Sequence, residues 1–155
     1  MKQKQLLLVA HAPSDNTLAL VEAVLRGARH PDIDQVEVTW KKPLEAVPED
    51  VLAADAIILG TTENLGYMSG ALKDFFDRCY YPVLDLKQGL PCALYIRAGL
   101  DGTGTRRAVE SIVTGLRWTW VQDPLIFKGD WQPVFLEQAE ELGLTLAAGL
   151  EAGIF

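Results

Sequence analysis

The chain has 155 residues, of which 49% are hydrophobic and 23% charged, and its formal net charge is −7. This length suits one domain with a full core, and the composition excludes a disordered chain. The acidic balance disfavours nucleic acid as a partner and favours basic proteins. With only two cysteines and two histidines, the sequence predicts neither a disulfide framework nor a metal site.

The first apolar run, Leu6 to Ala10, lies in the stretch MKQKQLLLVAHA. It is shorter than the ~7–15 residues of a signal-peptide core, so we interpret it as a buried first strand. No apolar run approaches the ~18–20 residues of a membrane span. We therefore expect a cytosolic protein without membrane segments. Because there is no linker or repeat, residues 1–155 are predicted to form a single domain.

Apolar runs alternate with helical patterns along the whole chain. Strands are predicted at 5–10, 35–40, 56–60, 90–96 and 124–127, and helices at 15–29, 48–54, 69–79, 104–117 and 132–150. Five βα units predict an α/β fold, with a doubly wound, five-stranded parallel sheet in the order 2-1-3-4-5. The ligand crevice of such a sheet lies over the loops after the first and third strands, flanked by the loop after the fourth.

Three polar segments therefore meet at one edge of the predicted sheet: HAPSDNT (11–17), GTTENLGYMSG (60–70) and AGLDGTG (98–104). We call them the first, second and third segments. In the first, Ser14 to Thr17 are typical helix N-caps, but hydroxyls before a helix N-terminus also suit a phosphate. Both interpretations stay open. The patterns GxxxxGK[ST] and GxGxxG are absent, which disfavours a P-loop or a dinucleotide site.

The second and third segments offer mainly backbone and small polar groups. Gly60 follows a buried strand and would let a planar ligand approach the backbone. Tyr67 supplies an aromatic face, while Gly102 and its neighbouring glycines surround Asp101. No pattern in these segments indicates a nucleophile paired with a base, and GxSxG is absent, so no catalytic residue is assigned.

The three segments resemble those of the flavodoxin superfamily. HAPSDNT resembles its phosphate loop, and AGLDGTG resembles its ring-flanking loop. GTTENLGYMSGALKDFFDR is similar to a segment shared by NAD(P)H-dependent FMN reductases and quinone reductases of that fold. The resemblance implies FMN as cofactor. The phosphate would lie on the first segment, one ring edge on the second, and the pyrimidine side on residues 98–102. The implied cofactor-binding residues are His11, Ser14, Asp15, Asn16, Thr17, Thr61, Thr62, Glu63, Asn64, Leu65, Gly66, Tyr67, Ala98, Gly99, Leu100, Asp101 and Gly102.

The sequence departs from the pattern of this superfamily at three places. Thr62 stands where the shared reductase segment usually has proline. Asp15 stands where the phosphate loop has glycine, and its carboxylate would repel a phosphate; we expect it to point outward. The third segment lacks the aromatic residue that flavodoxins stack on the ring.

Two functions are compatible with this resemblance. The first is an FMN-binding, flavodoxin-like electron-transfer protein whose acidic surface meets redox protein partners. The alternative is a flavin-dependent NAD(P)H oxidoreductase that reduces a quinone or a flavin. A monomer favours the first and a homodimer or tetramer the second. A phosphoryl-accepting receiver is disfavoured because the third strand ends in Ile58-Leu59-Gly60-Thr61, without an aspartate. A fold that no longer binds FMN is also compatible, because of Asp15.

Overall fold

The computed structural model describes residues 2–155. Its strands are β1 (Lys4–Ala10), β2 (Val36–Lys41), β3 (Ala56–Asn64), β4 (Tyr67–Met68), β5 (Pro91–Ala98), β6 (Thr119–Trp120) and β7 (Leu125–Lys128). Its helices are α1 (Asp15–Ala28), α2 (Pro48–Ala53), α3 (Gly70–Val83), α4 (Thr103–Leu116) and α5 (Val134–Glu151). The predicted alternation of strands and helices is confirmed within the described residues.

The sheet has parallel central strands in the order β2-β1-β3-β5. Beyond β5, β6 pairs with Pro91 and Cys92, and β7 pairs with residues 95–98. The predicted order 2-1-3-4-5 is confirmed when β6 and β7 are taken as two halves of the fifth strand. The prediction of five strands was too low. One reason is that Pro124, which has no N–H for a ladder hydrogen bond, lies between these two halves. The other is β4, which pairs antiparallel with the end of β3.

Both faces of the sheet are covered by helices. Along β1, Leu6 and Leu8 face the core under α1 and α5, whereas Leu7 and Val9 face the core under α2, α3 and α4. Burial on both faces explains why β1 reads as a continuous apolar run rather than an alternating one.

Helices α1 and α5 are in backbone contact through glycines. A Cβ atom on Gly27 would lie 1.9 Å from the carbonyl oxygen of Glu140, and one on Gly143 would lie 2.0 Å from that of Val24. This contact fixes α1 against α5 on one face of the sheet. The N-terminus of α1 lies at the carboxyl edge because α1 follows the end of β1.

The two cysteines are structural. Cys79 and Cys92 are free and buried in the core under α2, α3 and α4. Burial raises the pKa of the Cys79 thiol to about 11 and that of the Cys92 thiol to about 12. Neither thiol is a reactive nucleophile at neutral pH, because the thiolate is the reactive form. Among the helices of residues 2–155, none is long and apolar enough to cross a bilayer.

Candidate functional site

The structure brings the three segments together at the carboxyl edge of the sheet. The first segment joins the second through the N–H of His11, which donates to the carbonyl of Gly60 at 3.0 Å. The second joins the third through Glu63, whose carboxylate accepts from the N–H groups of Leu100 and Gly102 at 3.1 and 2.9 Å. One contiguous surface therefore contains parts of all three segments.

The first segment begins α1 with a reciprocal cap. Ser14 is the N-cap residue: its Oγ accepts from the N–H of Thr17 at 3.3 Å, and its own N–H donates to Oγ1 of Thr17 at 2.9 Å. The Thr17 hydroxyl also donates to the carbonyl of Ser14 at 3.0 Å. The capping interpretation of HAPSDNT is therefore confirmed. Capping leaves other N–H groups of the first helical turn free, so it does not compete with an anion site.

Three more residues of the first segment surround this cap. Asp15 and Asn16 are exposed on the first turn of α1, so the Asp15 carboxylate has access to water. His11 is half-buried, and burial lowers the pKa of its imidazole. Desolvation favours the neutral ring, and His11 is therefore predominantly uncharged at neutral pH. The segment offers neutral donors and one exposed negative charge.

The second segment is a hairpin and not the loop that the sequence suggested. β3 continues to Asn64, and the residue pairs Glu63–Met68 and Asn64–Tyr67 join it to β4. Leu65 and Gly66 form the turn with φ of 53° and 77°. Positive φ at both central residues is the type I′ geometry that matches strand twist. Leu65 is fully exposed at the tip, and Tyr67 is 42% exposed beside it.

Thr61 and Thr62 stabilise this hairpin from inside. The Thr61 side chain is 1% exposed; its Oγ1 accepts from the N–H of Ser69 at 3.0 Å and donates to the carbonyl of Thr62 at 2.9 Å. The Thr62 hydroxyl donates to Oδ1 of Asn64 at 2.7 Å. Both hydroxyls donate to acceptors of the protein and so help to shape the backbone here.

The third segment, which leaves β5 at Ala98, leads into the N-terminus of α4. Gly102 is the N-cap residue with φ of 71°, a conformation that other residues adopt only with strain. Asp101 Oδ1 accepts from the N–H of Thr103 at 3.0 Å. A Cβ atom on Gly104 would lie 2.1 Å from the carbonyl oxygen of Gly66. Gly104 therefore allows α4 to begin directly against the hairpin tip. Gly99 and Leu100 are exposed between β5 and α4.

Tyr95 is a residue of this region that the sequence analysis missed. A Cβ atom on Gly60 would lie 2.3 to 2.6 Å from atoms of the Tyr95 ring, so this ring, rather than a ligand, uses the space that Gly60 leaves. The Tyr95 hydroxyl is buried, it has no hydrogen-bond partner within residues 2–155, and burial raises the pKa of the phenol. A tyrosine inside an apolar strand gives no sequence signal for this position.

Two cavities lie near the ends of the strands. One of about 260 Å³ adjoins the first segment and is lined by His11, Ala12, Pro13, residues 42–45 and Ala71. A larger one of about 490 Å³ lies at the opposite edge, beside Asp55 and Lys87. Those two side chains are engaged: Asp55 accepts from the N–H of Gln5 and Lys87 donates to the carbonyl of Ala54, both at 2.7 Å. The described residues 2–155 contain no group of three or more His, Cys, Asp or Glu placed to hold a metal ion.

Comparison with protein families shows to which family the chain belongs. Residues 25–127 match the family described as NADPH-dependent FMN reductase. The chain belongs to this family. The FMN reductase match contains the second and third segments whole, while the first segment lies before it. A curated relative, a flavodoxin of Aquifex aeolicus, is 32% identical over 112 residues, which span 72% of this chain and 60% of the flavodoxin.

Solved structures share the fold at low sequence identity. A flavodoxin from the domain Archaea is 20% identical and has a TM-score of 0.79. The match covers 94% of this chain and 98% of that flavodoxin. The two-electron reduced flavodoxin of Megasphaera elsdenii is 16% identical, with coverage of 92% and 98% and a TM-score of 0.75. A WrbA-like protein of Agrobacterium tumefaciens is 18% identical, with coverage of 95% and 96% and a TM-score of 0.69. The predicted flavodoxin-like fold is thereby confirmed.

Proposed function

We propose that the first, second and third segments together bind FMN, and that the chain acts in electron transfer. The observation that carries this proposal is the joining of all three segments at one edge, by a backbone hydrogen bond between His11 and Gly60 and by the Glu63 carboxylate, with the N-terminus of α1 beside them. Ligands of open α/β sheets bind outside the carboxyl ends of the strands, where the strand order reverses. Membership of the FMN reductase family and likeness to a flavodoxin support the choice of ligand.

The residues present fit a phosphate at the first segment. The first turn of α1 offers N–H groups and the positive end of the helix dipole. Asn16 adds an exposed side-chain amide, and the cap between Ser14 and Thr17 fixes the turn before any ligand arrives. Asp15 is exposed, so its carboxylate can remain in water while a phosphate lies on the backbone. Its charge still weakens phosphate binding, because water screens the repulsion only in part.

The isoalloxazine ring would lie against the outer surface that the hairpin and the third segment form together. The half-exposed ring of Tyr67 provides an aromatic contact for it, and Gly66 and Gly99 allow backbone atoms to approach it. Bound FMN would supply the redox chemistry, while these residues bind and orient it. In this proposal redox proteins meet the chain at the same edge. The free, buried thiols of Cys79 and Cys92 suit a reducing compartment such as the cytosol.

The experiment is a titration of the purified chain with FMN and with riboflavin, followed by quenching of flavin fluorescence. We expect FMN to bind at least about tenfold more tightly than riboflavin, because only FMN carries the phosphate that α1 receives. Asp15→Asn should increase the affinity for FMN and leave that for riboflavin unchanged. Glu22→Gln, on the exposed face of α1, is the control for a general change of charge. Equal affinity for the two flavins, or no binding of either, would refute the phosphate site.

A second candidate function is reduction of a quinone or a flavin by NAD(P)H. The cavity of about 260 Å³ beside His11 favours it, since it adjoins the first segment and offers room for part of a second ligand next to bound FMN. Residues 98–102 also leave the ring uncovered by any aromatic side chain. Anaerobic addition of NADPH or NADH to the FMN-loaded chain separates the two functions. Rapid bleaching of the flavin by a dimer or tetramer supports the enzyme; a monomer that stays oxidised supports the carrier.

A further inference from the structure

The cavity of about 490 Å³ at the amino edge of the sheet has no part in the proposed function. We call it the amino-edge cavity. It is bounded by residues 2–5, by Leu52 and Ala53 at the end of α2, and by Asp55 and Lys87. Small-molecule sites usually have volumes of roughly 300–1,000 Å³. The amino-edge cavity therefore has room for a small ligand of its own.

The charge of this cavity is opposite to that of the chain. The sequence has 21 Asp and Glu against 14 Lys and Arg, whereas the cavity is lined by one acidic residue, Asp55, and by three lysines, Lys2, Lys4 and Lys87. None of these lysines forms an ion pair within residues 2–155. A concave surface lined mainly by one sign of charge concentrates counter-ions. The amino-edge cavity can therefore attract an anion to a chain that is acidic as a whole.

Lys87 is held in position by the end of α2. Its ammonium group donates to the carbonyl of Ala54 at 2.7 Å and to that of Leu52 at 3.3 Å. An ammonium group has three N–H donors, so one of them remains for a ligand. The carboxylate of Asp55 is also engaged, because its Oδ2 accepts from the N–H of Gln5 at 2.7 Å. The cavity thus presents a fixed cation, and its one carboxylate is bonded to the backbone of β1.

The lysines lie on two sides of strand β3. Lys4 is the first residue of β1 and Lys87 precedes β5, while β3 lies between these two strands. Two strand spacings separate the two backbones by about 10 Å. A row of phosphate groups can contact lysines on both sides at once, because each ammonium group then meets its own phosphate. Lysine is a common phosphate ligand in proteins.

We propose that the amino-edge cavity is a second ligand site, which binds the linear di- or triphosphate group of a small molecule through Lys2, Lys4 and Lys87. Lys87 is the fixed end of this site, and the exposed side chains of Lys2 and Lys4 contact the ligand from the side of β1. The site is independent of FMN, because it lies at the edge of the sheet opposite the first, second and third segments. The single phosphate of FMN would contact only part of it.

The test is an NMR titration of the ¹⁵N-labelled chain with inorganic tripolyphosphate, and in parallel with orthophosphate. We expect saturable shift changes at the amides of residues 3–5, 52–55 and 87. Tripolyphosphate should bind at least about tenfold more tightly than orthophosphate, because it forms several charge pairs at once. A higher ionic strength should weaken this binding, since salt screens exposed charges. Saturating FMN should not displace the tripolyphosphate.

Two double variants with the same change in net charge sharpen the test. Lys2→Gln with Lys4→Gln removes two exposed charges of the cavity and leaves the hydrogen bonds of Lys87 intact. It should weaken the binding of tripolyphosphate at least about tenfold. Lys42→Gln with Lys128→Gln is the matched control, because both lysines are exposed at the carboxyl edge of the sheet. This control should keep the affinity within about twofold. Cooperative thermal unfolding shows that each variant is folded.

Four results would each overturn the proposal. They are the absence of saturable shifts at the amino edge, shifts confined to the first segment, equal affinity for the two phosphate probes, and equal losses of affinity in the two double variants. The second would place the anion at the N-terminus of α1, and the last would show only a general effect of net charge. None of these results depends on whether the chain binds FMN.

Discussion

The first and third segments of the candidate site are fixed in opposite ways. In the first, Ser14 and Thr17 cap α1 with groups that lie three residues apart. In the third, the start of α4 is held by Glu63 and packs on Gly66, both from the hairpin. One end of the site is therefore built locally, and the other depends on contacts between distant parts of the chain.

This difference teaches where mutations should matter. A change in the first segment should weaken one helix end and little else. A change at the contact between hairpin and third segment should disturb two segments at once. The following expectations test that contrast, beginning with the largest effect.

Gly104→Ala should be the most damaging of these changes. Its Cβ would meet the backbone carbonyl of Gly66 at 2.1 Å, so the hairpin or α4 must move. We expect a loss of about 2 kcal/mol or more in the free energy of unfolding, measured by chemical denaturation, together with weaker FMN binding. Gly99→Ala is the control, because a Cβ there meets nothing within 4 Å. Equal stability of the two variants would contradict the close contact.

Ser14→Ala removes the N-cap of α1 and should cost about 1 kcal/mol in the free energy of unfolding. Denaturant unfolding measures this loss. Asn16→Ala, in the exposed first turn, should change stability by less than about 0.5 kcal/mol. If Ser14→Ala instead destabilised the chain as much as Gly104→Ala, the cap would stabilise more than the start of α1.

Leu65→Asn should stabilise the chain. Leu65 has φ of 53° and is fully exposed, so it has the strain of a left-handed conformation without any packing to offset it. Asn tolerates that conformation better, and we expect a gain of about 0.5–1 kcal/mol. Leu100→Asn, at an exposed leucine without positive φ, should give no gain. If Leu65→Asn lowered the stability, the Leu65 side chain would have to make packing contacts, which its full exposure contradicts.

The smallest effect should be a pH dependence from His11. Burial lowers its pKa in the folded chain below the ordinary 6.5, so the unfolded chain binds more protons as the pH falls through that value. The contribution of neutral His11 to stability is therefore complete above pH 6.5 and is lost at lower pH. As the pH is lowered from 7.5 to 5, the midpoint temperature of thermal unfolding should fall less steeply in His11→Gln than in the original chain.

The contrast between the segments also explains what the sequence could predict. The strand order and the cap at Ser14 follow from short-range patterns: apolar runs, helical periodicity and a small polar residue before a helix. The hairpin at Leu65 and Gly66 was not predicted, because the polar residues before it are typical of a loop. Two other features give no signal in the local sequence. Glu63 contacts the third segment, and the Tyr95 ring fills the space at Gly60. Both are contacts between residues that are distant in the sequence.

The central claim is that three segments at the carboxyl edge form one FMN site. The most direct test is an NMR titration of the ¹⁵N-labelled chain with FMN, following every backbone amide. The account predicts shift changes concentrated in residues 11–17, 61–67 and 98–102, with little change around Asp55 and Lys87 at the opposite edge. Changes concentrated at that opposite edge, or confined to one of the three segments, would contradict it.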